Sequence, residues 1–484
     1  MSSIAVAFHT LGCKLNQLET ESITQAFLEE GFSIVPWGNL ADLYIVNTCT
    51  VTSMAEQKAR REIRKVLRDR PASCVIATGC YAQLDPEALG SIADDIDAAF
   101  SEGDDRSAFD RRRIVVVSGD LKSALIDLPA YINDSACSSS GLGEILGAWA
   151  SNRRTEDRDP FRFDANDFSF HSRASLKIQD GCDNQCAYCR VRLARGKSVS
   201  LVSSEIVNRL RALETKGYAE AVLTGINVTG YKDANGTDFP QLLQTLIDNT
   251  ERIALRVSST EPDGVNDRFA EAVSSARIRP HFHLSVQSGS DAILRRMRRR
   301  YTADQVLKAA ELLRTVKGDP FLACDIIAGF PGETEVDFEA TYDLCKAIGF
   351  AWIHAFPFSP RPGTEAATLS GRVSERDAGH RVERLTALAK EGRKTYINRW
   401  VGKEIDAIVE GRGTKRSIDG RSSDAAPRTS FSALSANYLK LIVDLPPSVF
   451  PSVHPGSSIR CRILEAEPAS GTIDAKSELM EIIV

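Results

Sequence analysis

Ser175-Leu176-Lys177-Ile178-Gln179-Asp180-Gly181-Cys182-Asp183-Asn184-Gln185-Cys186-Ala187-Tyr188-Cys189 is the stretch on which the fold turns. Its opening, Ser175–Gln179, reads as a β-strand, and three cysteines follow on one short loop. Three thiolates fall one short of the four donors that a structural zinc site requires. They suit a [4Fe–4S] cluster held on three irons with the fourth left open. A zinc site completed by a distant His or Cys is the alternative reading. A ligand loop directly after a strand also fits an α/β barrel, whose active sites collect at the C-terminal ends of the strands.

Outward from this loop the pattern repeats. Ala221–Leu223, Ala254–Val257, His281–Val286, Leu322–Ala328 and Trp352–Phe356 read as further strands. Helical stretches lie between them at Glu205–Lys216, Gln241–Asn249, Arg268–Ala276, Ala303–Val316 and Val336–Ile348. An eight-stranded barrel takes roughly 250 residues, so six strand–helix steps over 171–400 predict an open (β/α)6 barrel. Upstream, residues 1–133 alternate strands (Ile4–Phe8, Leu43–Val46, Cys74–Ala77) with helices (Glu19–Glu30, Met54–Arg70), which predicts a doubly wound parallel sheet. Residues 134–170 are rich in Ser, Gly, Asp and Arg and read as a linker. Residues 401–484 hold short β-like runs, Ile405–Val409, Tyr438–Val443 and Ser458–Ile463, and predict a small β-barrel. The polar stretch Arg412–Arg428 reads as a mobile insertion.

Composition narrows the class. The chain has 484 residues, 43% hydrophobic and 26% charged, with a formal net charge of −5 and 11 cysteines. No apolar run approaches a membrane span and the N-terminal residues lack a signal-peptide pattern, so a cytoplasmic protein is expected. In a reducing compartment, patterned cysteines point to metal binding or catalysis rather than to disulfides.

A second set of cysteines is dispersed. Cys13, Cys49 and Cys80 each follow the end of a predicted strand, and in an open parallel sheet those ends share one ligand-binding edge. They either converge on one metal centre or are three unrelated core cysteines. Gly12 and Gly79, just before two of them, favour a close approach to the backbone.

The loop Cys182-Asp183-Asn184-Gln185-Cys186-Ala187-Tyr188-Cys189 resembles the cluster motif of the radical S-adenosylmethionine (SAM) enzymes. Both cysteine sets together resemble one subfamily, the methylthiotransferases. The resemblance extends to Leu223-Thr224-Gly225-Ile226-Asn227-Val228, His283-Leu284-Ser285-Val286-Gln287-Ser288-Gly289-Ser290, Asp325-Ile326-Ile327-Ala328-Gly329-Phe330-Pro331-Gly332-Glu333-Thr334 and Phe356-Pro357-Phe358-Ser359-Pro360-Arg361-Pro362-Gly363-Thr364. It implies two [4Fe–4S] clusters, one on Cys182, Cys186 and Cys189 and an auxiliary one on Cys13, Cys49 and Cys80. It also implies a SAM pocket shaped by Tyr188, Gly225, Asn227, Ser259, Gln287 and Gly329. The Gly329 backbone is expected to lie close to the adenine. A TRAM-like C-terminal barrel is implied, with Tyr438, Lys440, Arg460 and Arg462 on its RNA face. The reaction implied consumes two SAM molecules, one giving a methyl group to sulfur and one yielding the radical that removes hydrogen from adenine. An electron donor such as flavodoxin or ferredoxin is implied as partner.

The subfamily divides by substrate, and Thr10-Leu11-Gly12-Cys13-Lys14-Leu15-Asn16-Gln17-Leu18-Glu19-Thr20-Glu21 is most similar to the branch acting on threonylcarbamoyladenosine beside the tRNA anticodon. The alternatives are the isopentenyladenosine branch, the branch acting on a ribosomal-protein aspartate, and a zinc-containing RNA-binding protein. Charge is polarised: residues 372–462 hold 17 Lys/Arg against 10 Asp/Glu, whereas 81–110 hold nine acids and one Arg. RNA needs a local basic face rather than a basic whole. Arg295–Arg300 and the helix bearing Lys58, Arg60, Arg61, Arg64, Lys65 and Arg68 are further basic candidates. One departure concerns Cys189-Arg190-Val191-Arg192-Leu193-Ala194-Arg195-Gly196, where many family members read Cys-Ile-Ile-Pro-Tyr-Ala-Arg-Gly; the missing proline bears on the geometry after the cluster loop.

Overall fold

The computed structural model describes residues 4–97, 113–135, 141–154, 158–164, 172–411, 429–445, 452–467 and 473–483. The 412–428 insertion and Cys137 lie outside them; the stretch expected as a linker instead includes a helix, Leu142–Ser151, whose Trp149 is buried in the core. The chain forms two compact units. The first comprises 1–169 together with 179–199 and 361–367; the second comprises 170–178, 200–360 and 368–484. The cysteine loop is thus grouped with the N-terminal sheet and not with the strand that precedes it.

In the first unit, β1 (Ala5–Thr10), β2 (Ser33–Val35), β3 (Leu43–Thr48), β4 (Cys74–Gly79) and β5 (Ile114–Val116) form one parallel sheet in the order β2-β1-β3-β4-β5. Every residue of β3 and β4 is buried, as expected for parallel strands covered on both faces. The helices α1 (Lys14–Glu29) and α2 (Ser53–Asp69) follow β1 and β3. Two apolar layers result, one around Ile23, Phe27, Ile45, Ile76 and Trp149, the other around Tyr44, Val46, Ile63, Leu67 and Tyr81. The chain order reverses between β1 and β3, a switch point of the kind where open α/β sheets bind ligands. The edge strands β2 and β5 escape the sequence reading because each is only three residues long.

In the second unit, six parallel strands follow in chain order: β6 (Ala174–Lys177), β7 (Glu220–Thr224), β8 (Ala254–Val257), β9 (His281–Gln287), β10 (Phe321–Ala328) and β11 (Trp352–Pro357). They pair as β8-β7-β6 and β9-β10-β11. Parallel bridges Leu255↔Ile278 and Thr260↔Leu284 join the two triplets. Helices Ser203–Thr215, Phe239–Asp248, Asp267–Val273, Ala303–Lys317 and Glu335–Ile348 fill the crossovers, as the periodicity predicts.

The C-terminal residues close a five-stranded barrel from β12 (Glu404–Gly411), β13 (Thr429–Ser435), β14 (Lys440–Leu445), β15 (Ser458–Ala466) and β16 (Ala475–Ile483). Period-two burial places Ile405, Leu441, Val443, Ile459, Cys461 and Ile463 inside. β13 and β16 are not legible in sequence, because Ser and Ala dilute the first and charged residues the second. The barrel packs on the N-terminal ends of β9 and β10: Phe321 and Ala323 share its apolar core, and Tyr438 stacks on His281 with ring centroids 3.9 Å apart. Beneath this contact Glu220 binds Arg256 and Arg279, at 2.7 and 2.9 Å, and these guanidiniums hold its carboxyl down at about 2 against the opposing effect of burial.

Candidate active site

The cysteine loop is closed upon itself. Cys182 N–H donates to the Gly196 carbonyl at 3.2 Å, and Gln179 Nε2 donates to the Gly181 carbonyl at 2.7 Å and to Ser198 Oγ at 2.9 Å. Gly181 is held at φ +67°, and a Cβ there would stand 2.0 Å from the Lys197 carbonyl oxygen. Backbone N–H groups two residues on point at two of the sulfurs, Asn184 to Cys182 and Val191 to Cys189, each at 3.4 Å. Such donors favour the thiolate form that a metal requires. Cys182, Cys186, Tyr188 and Cys189 are all half-buried.

The dispersed set shares a locale at the switch point. Cys13 stands directly before α1, Cys49 after β3, and Cys80 directly after β4. A Cβ on Gly12 would lie 2.6 Å from Cys49 Sγ, so the close approach that the glycine permits is that of the Cys49 thiol. Gly79 likewise makes room for the Thr48 backbone. Cys49 Sγ accepts from Val51 N–H at 3.4 Å, repeating the geometry of the other loop. Burial pushes the Cys49 thiol up to about 11; the Val51 N–H opposes the shift, while nearby Cys80 and Cys13 add to it. Among the described residues, no three His, Cys, Asp or Glu are gathered as for a single metal ion. The fit to a cluster rests instead on the donor set: two trios of thiols with backbone N–H groups aimed at their sulfurs.

Buried ion pairs tie the two trios' flanks together. Arg195 reaches Glu19 Oε1 at 2.9 Å, Asp180 Oδ2 at 3.0 Å and Asn16 Oδ1 at 2.8 Å. Asn16 in turn donates to the Leu11 and Thr48 carbonyls, and Lys122 completes the pairing of Glu19. Glu56 accepts from Arg190 Nη1 at 3.0 Å and also from Arg361. Arg361 and Arg190 further bond Thr50, the residue after Cys49. Asn16 and Glu19 belong to the stretch that the sequence reads as a branch signature, and their structural role was not foreseen. Arg190, where the family pattern has an aliphatic residue, is one of the Glu56 partners.

In the second unit the remaining expected residues sit at strand ends. Gly225 follows β7, and Asn227 Oδ1 accepts from Thr229 Oγ1 at 2.9 Å and Gly230 N–H at 3.3 Å, closing the turn. Gln287 ends β9 with φ +64°, a strained conformation for a non-glycine residue, next to an irregularity in strand pairing. Gly329 has φ +77°, and a Cβ there would stand 2.6 Å from the Ala378 side chain. A glycine is therefore required there by its backbone conformation and by Ala378. Glu333 closes this turn, accepting from Gly329 N–H at 2.6 Å and Arg381 at 2.7 Å.

A polar row was missed in the sequence. Ser259 Oγ shares a hydrogen bond with His283 Nδ1 at 3.0 Å, and His283 Nε2 stands 3.3 Å from Asp325 Oδ1. His354, registered against Asp325 on β11, packs edge-on to His283. These groups share the less buried face of the strands, whereas Phe282, Leu284 and Ile326 on the opposite face are buried. Burial lowers the His354 pKa from its ordinary value, with a further push from His283. The signal in the sequence was the alternation of His283, Ser285 and Gln287.

The basic candidates divide. Arg296 donates to the Pro331 carbonyl, and Arg299 pairs with Glu261, so part of the Arg295–Arg300 run is internal. On the small barrel, Tyr438 lies under Arg256 and on His281, whereas Lys440 is exposed. Arg460 pairs with Asp406 and Glu481, both at 2.8 Å; Arg462 pairs with Glu404 at 2.8 Å and approaches Glu478 to 3.7 Å. β16 brings acids that the 372–462 window leaves out, and from Arg372 to Val484 the count is 18 basic against 15 acidic residues.

Residues 176–345 match the radical SAM superfamily, and residues 5–101 match a family described as uncharacterized protein family UPF0004. A relative in Treponema pallidum (strain Nichols), threonylcarbamoyladenosine tRNA methylthiotransferase MtaB, is 41% identical over 84% of this chain and 91% of its own length. The chain belongs to the radical SAM methylthiotransferase family. The MtaB of Bacillus subtilis (strain 168) is 37% identical over 84% of each chain. A tRNA-2-methylthio-N(6)-dimethylallyladenosine synthase of Nitratidesulfovibrio vulgaris is 32% identical over 86% of this chain and 88% of its own. With the superfamily come an iron–sulfur cluster and SAM. No helix among the described residues is long and apolar enough to cross a membrane.

Proposed function

We propose that this enzyme converts threonylcarbamoyladenosine beside the anticodon of tRNA into its 2-methylthio derivative. The observation that carries the reading is the 41% identity, across 84% of the chain, to a relative named for that reaction. Cys182, Cys186 and Cys189 hold the cluster to which SAM binds, and Cys13, Cys49 and Cys80 hold an auxiliary cluster. Bound SAM and the clusters supply radical hydrogen abstraction at adenine C2 and the methylated sulfur that replaces the hydrogen, two SAM molecules being used per turnover.

The protein's own groups position and shield. Arg195 and Arg190 anchor the residues after Cys189 to Glu19 and Glu56, which fixes one thiol set against the other. Gly225, Asn227, Ser259 and Gln287, with Tyr188 beside the cluster thiols, orient the cofactor. Gly329 shapes the end of β10 through its turn. His283, braced by Asp325 and Ser259, and His354, whose pKa burial lowers, offer hydrogen-bonding groups along this row. On the small barrel, Lys440, Arg460 and Arg462 face the RNA backbone, while Tyr438 orients the barrel from within the junction. A cytoplasmic location and a flavodoxin- or ferredoxin-type electron donor accompany this reading.

Nucleoside mass spectrometry of tRNA tests it. Cells lacking the gene and any paralogue should lose methylthiolated threonylcarbamoyladenosine and retain its unmodified precursor; persistence of the methylthio product overturns the substrate assignment.

A further inference from the structure

The exposed face of α2 carries cations at Lys58, Arg61, Lys65 and Arg68, spaced by three or four residues and so aligned along one stripe. At 1.5 Å per residue the stripe runs about 15 Å. Among the described residues, Lys58 and Lys65 have no carboxylate partner, and Arg61 and Arg68 pair only with their sequence neighbours Glu62 and Asp69. The helix's acids are otherwise committed: Glu56 to Arg190 and Arg361, and Glu62 also to Trp37 Nε1 at 3.3 Å. This is the reverse of the small barrel, where Arg460 and Arg462 each face two acids. A cation already paired has less to gain from a phosphate, because it must give up its carboxylate.

A second observation lies at the start of the same helix. Val51 and Met54 are 62% and 77% exposed, and they stand two and five residues after Cys49. Apolar side chains beside a basic track are what an unstacked nucleotide needs, since bases leaving a stack gain apolar contact while phosphates gain cations.

The geometry points to α2 as an RNA-docking surface, its stripe taking anticodon-stem phosphates and Val51 and Met54 flanking bases at the Cys49 end. This inference rests on the tRNA reading and adds a surface on the N-terminal unit to it.

The test is binding of a synthetic anticodon stem-loop RNA to full-length protein across a salt series, with a melting curve for each variant. The triple variant Lys58→Ala/Arg61→Ala/Lys65→Ala should weaken binding about a hundredfold near 0.15 M salt, about fivefold per phosphate contact, and flatten the log–log salt slope by about 2 to 3. Arg460→Ala/Arg462→Ala should change both less. Met54→Ser should weaken binding without changing the slope. If the triple variant melts like the wild type and binds with unchanged affinity and slope, the docking surface is overturned while the substrate reading stands. If wild-type protein shows no salt-dependent binding, both are overturned. Should the triple variant melt early, the exposed pair Lys58→Gln/Lys65→Gln replaces it, with a slope change of about 2 expected on the same criterion.

Discussion

The two cysteine trios, each proposed above to hold a cluster, are assembled by opposite routes. Cys182, Cys186 and Cys189 stand on one loop whose own backbone hydrogen bonds close it. Cys13, Cys49 and Cys80 are drawn from three segments, and only the strand order β2-β1-β3-β4-β5 brings β1, β3 and β4 side by side. The first trio is local and the second is tertiary. Yet both present a sulfur to a backbone N–H two residues on, at 3.4 Å in each case. The difference teaches that three thiols need not be contiguous in sequence to share a locale, if a sheet edge supplies the contiguity.

The largest effects come from removing a ligand. Cys182→Ala should abolish SAM cleavage, whereas Cys49→Ala should retain cleavage and make no methylthio product. Each should lower the iron of anaerobically reconstituted protein from about eight to about four atoms per chain. Undiminished iron in Cys49→Ala would break the equivalence of the trios.

Glu19→Gln attacks the network that joins them. It leaves Arg195 and Lys122 buried with less counter-charge and should destabilise the metal-free protein by about 3–5 kcal/mol in urea unfolding. A control lies in the second unit, which contains none of the six thiols. Glu220 is held down at about 2, so its contribution, about 3 kcal/mol, is present above the unfolded value near 4.5 and is lost as pH falls from there toward 2. Glu220→Gln should flatten stability across that window and leave iron content untouched. The smallest effect belongs to Arg190→Ile, which restores the family residue. Arg361 still pairs with Glu56, so about 1–2 kcal/mol is expected; a loss as large as that of Glu19→Gln would place the junction chiefly on Arg190.

Much of this was legible in the chain because the signals were local. The six barrel strands and their helices follow from apolar periodicity, and the Cys182–Cys189 loop from spacing. Ser259 follows β8 while His283 and Asp325 lie on β9 and β10, so no window of sequence contains their row. The surroundings of the small barrel's candidate RNA residues were hidden for a similar reason. Tyr438, aromatic on a β-like run, is drawn into the junction by His281 and Arg256, and Glu478 and Glu481 pair across strands with arginines many residues away.

By itself, then, the sequence determined the element types, the contiguous ligand loop, the approximate limits of the barrels and, through similarity along its length, the family. Those features depend on neighbours within a few residues, whose φ/ψ preferences and side-chain periodicity are written locally. Tertiary structure decided which distant groups meet: the grouping of Cys13, Cys49 and Cys80, the clamp of Arg190 and Arg195 on Glu56 and Glu19, and the difference between paired and unpaired cations. Those depend on strand order and on desolvation, and a buried charge must find its partner wherever the fold places one.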